Sequence, residues 1–134
     1  MSELKVMIVD DQPDIVESLA SCVKQWGHQV ALAYSGVEAL SIAEGFGPHV
    51  VLLDIMMPDM DGYAVAKQLR RQGHQETTVV GVTALQGENH RHKSWDSGFN
   101  FYLVKPVRNK SFLKYYHLFE NYIQAAVEEK RQKK

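Results

Sequence analysis

Asp54 closes an apolar run, Val50-Val51-Leu52-Leu53, and the pair Asp10-Asp11 closes another, Val6-Met7-Ile8-Val9. Acids at matching ends of two apolar runs can hold a hard cation through oxygen ligands. Three carboxylates drawn together also repel, by roughly 4 kcal/mol for each pair ~4 Å apart at an effective dielectric of about 20. A metal ion or a proton has to offset that repulsion, so the pattern predicts a metal. Thr83 and Lys105 each end a further apolar run, after Val79-Val80-Gly81-Val82 and Phe101-Tyr102-Leu103-Val104. Asp10-Asp11 have a plainer reading as a helix cap, which an acid just ahead of a helix often is.

The runs that carry these residues have strand length, and they alternate with stretches of helical periodicity, the pattern of repeated βα units around a parallel sheet. Strands are expected at residues 4–9, 29–33, 50–54, 78–83 and 101–104. Helices are expected at 13–26, 36–44, 63–72, 88–97 and 109–129. The first has an apolar stripe of Ile15, Leu19, Cys22 and Trp26 flanked by Val16, Ala20 and Val23, and the last one of Phe112, Tyr116, Phe119, Ile123 and Ala126. The fourth is the weakest, because Asn89, His90, Arg91, His92 and Lys93 leave little apolar face. In an open α/β sheet, ligands bind at the carboxyl ends of the strands, so this topology delivers the acids, Thr83 and Lys105 to one rim.

A chain of 134 residues with 45% hydrophobic content fits one domain with a proper core. Residues 1–127 are expected to form that domain and 128–134 a polar tail, with no room after it for a DNA-binding or catalytic output unit. Fifteen basic against sixteen acidic residues give a net charge of -1, which argues against direct binding to nucleic acid or to an anionic membrane. Cys22 is the single cysteine, so there is no internal disulfide. With no signal-like N-terminus and no apolar run of membrane length, a cytoplasmic location is expected.

In order and spacing, Asp10-Asp11, Leu53-Asp54 with Met57-Pro58 and Asp61-Gly62, Thr83-Ala84, and Tyr102-Leu103-Val104-Lys105-Pro106 resemble the receiver domain of two-component signal transduction. That module is the chemotaxis-protein-like unit of response regulators and of hybrid histidine kinases. The resemblance implies an α/β fold, a flavodoxin-like doubly wound (βα)5 domain whose five-stranded parallel sheet has the order 2-1-3-4-5 with helices on both faces. It implies that Asp54 is the phosphoacceptor, assisted by Lys105 and Thr83. Mg²⁺, with Mn²⁺ as an alternative, would be held by Asp11, Asp54 and the backbone carbonyl of Met56, with Asp10 acting through water. Thr83 and Tyr102 resemble a switch pair that passes phosphorylation to a surface made of the fourth helix, fifth strand and fifth helix. The implied partners are a histidine kinase or histidine phosphotransfer protein, a downstream protein, and a second copy of the chain through that surface. The domain would be a switch, not an enzyme, assisting its own phosphorylation and a slow dephosphorylation. The resemblance implies that Met56 and Leu85, each two residues past a site residue, tune how readily water attacks the phosphoaspartate, and both are too apolar to orient water, hence the expected slowness.

Other features have plain explanations. His90 and His92 read as a solvated helix face, Cys22 as a small buried hydrophobe, and Asp59 and Asp61 as turn formers. Tyr115, Leu118 and Tyr122 form a second apolar set on the last helix, where edge packing and docking are equally served.

Overall fold

The computed structural model describes residues 3–83, 98–104 and 121, with the backbone alone described at 83 and 102–104. Its elements in order are β1 (Lys5–Val9), α1 (Pro13–Gln25), β2 (Gln29–Ala33), α2 (Gly36–Phe46), β3 (Val50–Asp54), α3 (Gly62–Arg71), β4 (Thr78–Thr83) and β5 (Phe101–Val104). The strands form one parallel sheet of order β2-β1-β3-β4-β5, as expected from the resemblance. The expected helices at 88–97 and 109–129 and the tail at 128–134 lie outside the described residues.

Continuous apolar runs form the central strands because both faces of the sheet are covered. Met7, Val9, Val51, Leu53 and Val79 point to one side, into a core completed by Ala39 and Ala43 of α2 and Val65, Ala66 and Leu69 of α3. Their alternates Val6, Ile8, Val50, Leu52, Val80 and Val82 point to the other, against Val16, Leu19, Ala20 and Val23 of α1. Here the structure corrects the expected stripe: α1 buries positions 16, 19, 20 and 23, while Ile15, Cys22 and Trp26 lie at its margin. Both sets have helical spacing, and packing selects the branched Val16 and Val23 over the half-buried thiol. A second correction extends α2 through Gly45 to Phe46; it ends on Gly47, whose φ of +62° provides the left-handed cap.

Long-range polar contacts tie the elements together at the end of the sheet away from the acids. Leu4 N–H donates to His28 Nδ1 at 3.1 Å, and Lys5 N–H to His49 Nδ1 at 2.9 Å, so both imidazoles serve as acceptors for the entry to β1. Arg70 of α3 reaches over to the turn before β5. Its Nη2 donates to Gly98 O at 2.7 Å and Asn100 Oδ1 at 2.8 Å, its Nη1 to His74 O at 2.6 Å and Thr77 O at 2.7 Å. Asn100 Oδ1 also accepts from Val79 N–H at 2.8 Å, which joins the clamp to β4. Burial lowers the Arg70 pKa from its ordinary value, yet a guanidinium starts so high that it stays charged.

Candidate functional site

β1 and β3 are immediate neighbours, with Val9 opposite Leu53, so the residues that follow, Asp10 and Asp54, emerge side by side. Their carboxylates are almost fully buried, with 3% and 5% of their surface exposed, and Asp11 is more open to solvent. Asp10 Oδ1 accepts from Gln12 N–H at 3.0 Å, a local turn that fixes the carboxylate at the rim. This disposes of the capping alternative, because the N-cap of α1 is Gln12, with no side-chain bond, and Pro13 follows it. The first turn of the helix is stabilised by Asp14 instead.

The loop after Asp54 is folded back onto the strand that precedes it. Met56 N–H approaches Asp54 Oδ1 at 3.4 Å, and the Met56 side chain stands 60% exposed at the rim while Met57 packs into the core. Asp59 takes a φ of +66°, and Met60 N–H donates to Pro58 O at 2.7 Å, so the expected turn is present. Asp61 then caps α3 by accepting from Ala64 N–H at 2.9 Å. Gly62 N–H closes the loop on Ile55 O at 2.9 Å. A Cβ at position 62 would lie 2.7 Å from Asp54 O and from Ile55 Cα, so only glycine lets the start of α3 approach the acid-bearing strand this closely. Sequence reading placed Gly62 in a turn-rich loop and in the Asp61-Gly62 pair of the resemblance, but did not find its close approach to Asp54.

One oxygen from each of Asp10, Asp11 and Asp54 lies within 4.8 Å of the other two. Mg²⁺ keeps several waters and takes one or two carboxylates directly, so a set this compact can serve a single ion, two acids binding it directly and the third through water. All three donors are hard carboxylate oxygens, without nitrogen or sulfur, which suits Mg²⁺ or Mn²⁺ better than zinc. The residues therefore fit the metal. Beneath the acids the cleft is lined by Ile8, Ile15, Leu19, Leu52 and Val82, a floor of low polarity that strengthens every electrostatic interaction above it. A roomier groove, about 500 Å³, runs between α2 and α3 past Leu40, Met60, Lys67 and Arg71, and carries no carboxylate.

Of the remaining expected site residues, Thr83 ends β4 opposite Val104, one position beyond the Asp54–Val82 pairing, and Tyr102 lies in β5 opposite Gly81. Their side chains, and Lys105, Ala84 and Leu85 entirely, are outside the described residues.

The family model for the response regulator receiver domain matches residues 6–117. A probable transcriptional regulator, ycf27, of Porphyridium aerugineum is 34% identical over 110 residues, which cover 82% of this chain and 45% of that protein. Response regulator MprA of Mycobacterium avium (strain 104) is 36% identical, covering 82% and 48%. The chain thus spans about half the length of these curated relatives. Among solved structures, chemotaxis protein CheY4 of Vibrio cholerae superposes with a TM-score of 0.80 at 27% identity, over 87% of this chain and 98% of that one. A two-component response regulator from Clostridium difficile shares the fold with a TM-score of 0.83 at 24% identity, over 92% and 97%. With the parallel sheet, the paired acids at its rim and this match across most of its length, the chain belongs to the response regulator receiver domains, the phosphoaccepting switches of two-component systems.

Proposed function

We propose that Asp54 is the phosphoacceptor and that Asp10 and Asp11 prepare it by gathering a divalent cation, Mg²⁺ or Mn²⁺, at the rim. The observation that carries this reading is the set of three carboxylates within 4.8 Å, two of them buried at the ends of adjacent strands. An Asp54 oxygen attacks the phosphorus of a phosphohistidine on a histidine kinase or phosphotransfer protein. The O–P bond forms as the N–P bond breaks, and the departing imidazole takes up a proton. When bound, the cation draws charge from the transferring phosphoryl oxygens and screens the carboxylates from one another. Asp11, Asp54 and the Met56 carbonyl would hold it directly, and Asp10 through water. The Met56 N–H and the Gly62 closure keep the Asp54 carboxylate aimed out of the sheet.

Lys105 then pairs with a phosphoryl oxygen and Thr83 donates its hydroxyl to another, with Tyr102 turning to follow it. This transmits the event to the surface of β5 and its flanking helices, where a downstream protein or a second copy binds. Residues 1–127 serve as the switch and 128–134 as its tail, in the cytoplasm, without direct contact to nucleic acid or membrane. Among the described residues no helix is long and apolar enough to cross a membrane.

Incubation with acetyl phosphate or phosphoramidate and Mg²⁺ tests the reading. One stoichiometric phosphate is expected, lost in Asp54→Asn. No incorporation in the wild type would mark a constitutive interaction module instead. The phosphoprotein is expected to be long-lived, and Met56→Asn to shorten its life, since an amide can orient water where a thioether cannot.

A further inference from the structure

Among the described residues the methionines differ sharply in their access to solvent. Met7 is fully buried, Met57 is 8% exposed, and Met60 is packed against the core between α2 and α3, whereas Met56 stands 60% exposed. Met56 is also the residue whose backbone N–H faces the Asp54 carboxylate. A largely exposed thioether is therefore carried by a backbone that abuts the acid proposed to carry phosphate, its side chain unburdened by packing.

We propose that Met56 is an oxidative modification site that couples hydroperoxides to the lifetime of the phosphorylated state, a consequence that rests on Asp54 being the acceptor. A sulfur lone pair attacks the nearer peroxide oxygen, the S–O bond forms and the O–O bond breaks. The sulfide is oxidised by two electrons to the sulfoxide, and the peroxide is reduced to water, or to an alcohol if it is organic. The product replaces an apolar side chain with a strongly polarised S–O group. That oxygen accepts hydrogen bonds from water, so it brings to the rim what the thioether lacks, an acceptor able to hold a water next to the acyl phosphate. Oxidised protein then loses its phosphate faster than reduced protein, and repair by methionine sulfoxide reductases restores the long-lived state. Met7 and Met57 are shielded from the same reagent by the core.

The test has two independent arms. Graded hydrogen peroxide on the folded chain, followed by mass mapping of peptides, is expected to oxidise Met56 first among the described methionines, ahead of Met60 and well ahead of Met57 and Met7. The same maps separate any oxidation of Cys22, which sits on α1 on the opposite face of the sheet. Oxidation of Met57 or Met7 at the same rate as Met56 would overturn the site. In the second arm, phosphoprotein decay is timed before and after peroxide, in wild type and in Met56→Leu, which lacks the sulfur and keeps the backbone. An about threefold shorter half-life in oxidised wild type, absent from Met56→Leu and reversed by the reductases, is the expected result. An unchanged half-life with Met56 stoichiometrically oxidised would overturn the coupling. Failure of unoxidised wild type to take up phosphate would overturn the acceptor reading and the coupling together, while the peptide maps still decide the modification site.

Discussion

At the scale of single residues, the site depends on side chains that are present and on one that is absent. Replacing Asp10 with Asn keeps an oxygen for the Gln12 N–H and removes one charge from the cluster. Without divalent ions, Asp10→Asn is expected to melt at a higher temperature than wild type, because its repulsions with Asp11 and Asp54 are gone, and to gain less from added Mg²⁺. Calorimetry in chelator and in saturating Mg²⁺ checks both halves; equal gains in the two proteins would remove Asp10 from the metal site. Gly62→Ala is the opposite kind of change, adding a carbon where only backbone lies near. Backbone cannot step aside as a flexible side chain can, so a loss of about 1–3 kcal/mol in urea unfolding is expected, with slower phosphorylation of whatever remains folded. The acids and their strand-end setting were legible in the chain, since they interrupt apolar runs. The demand for glycine at 62 was not, because it arises from contact with Asp54 and Ile55 of an element already completed.

Elements show the same division. The central strands were readable because burial on both faces leaves apolar runs that no helix period explains. The α1 stripe was misjudged by one position, since Ile15 and Val16, or Cys22 and Val23, are interchangeable in pattern and only the sheet beneath decides between them. Nothing local announces that His28 and His49 will meet successive N–H groups of β1, or that Arg70 will reach the turn before β5. Such partners stand 24, 44 and 28 residues apart in the chain. Arg70→Gln is expected to cost about 2 kcal/mol, because carbonyls of Gly98, His74 and Thr77 lose a charged donor together. Arg70→Lys should not rescue it, for one ammonium cannot span the positions that a planar fork of donors reaches. At the start of α2, Ser35 accepts from Glu38 N–H at 3.2 Å, and Ser35→Ala is expected to cost about 1 kcal/mol. Denaturant midpoints of the three variants order these contributions.

For the molecule as a whole, charge balance leaves recognition to local surfaces, and the acid cluster concentrates the local negative charge at one end of the sheet. Because the folded chain gathers three carboxylates and the unfolded chain does not, Mg²⁺ should stabilise it by about 2.7 kcal/mol at a hundredfold excess over the dissociation constant. An unchanged melting point at saturating Mg²⁺ would count against the site. The order of strands adds a kinetic consequence. Asp10 and Asp54 become neighbours only when β1 pairs with β3, after α1, β2 and α2 have all been made. A nascent chain that has delivered only its first βα unit therefore has half a chelate. If that pairing is completed after the folding barrier, the ion acts as a latch on finished protein: Mg²⁺ should slow unfolding while leaving the refolding rate nearly untouched. Stopped-flow traces with and without the ion would reveal which limb moves.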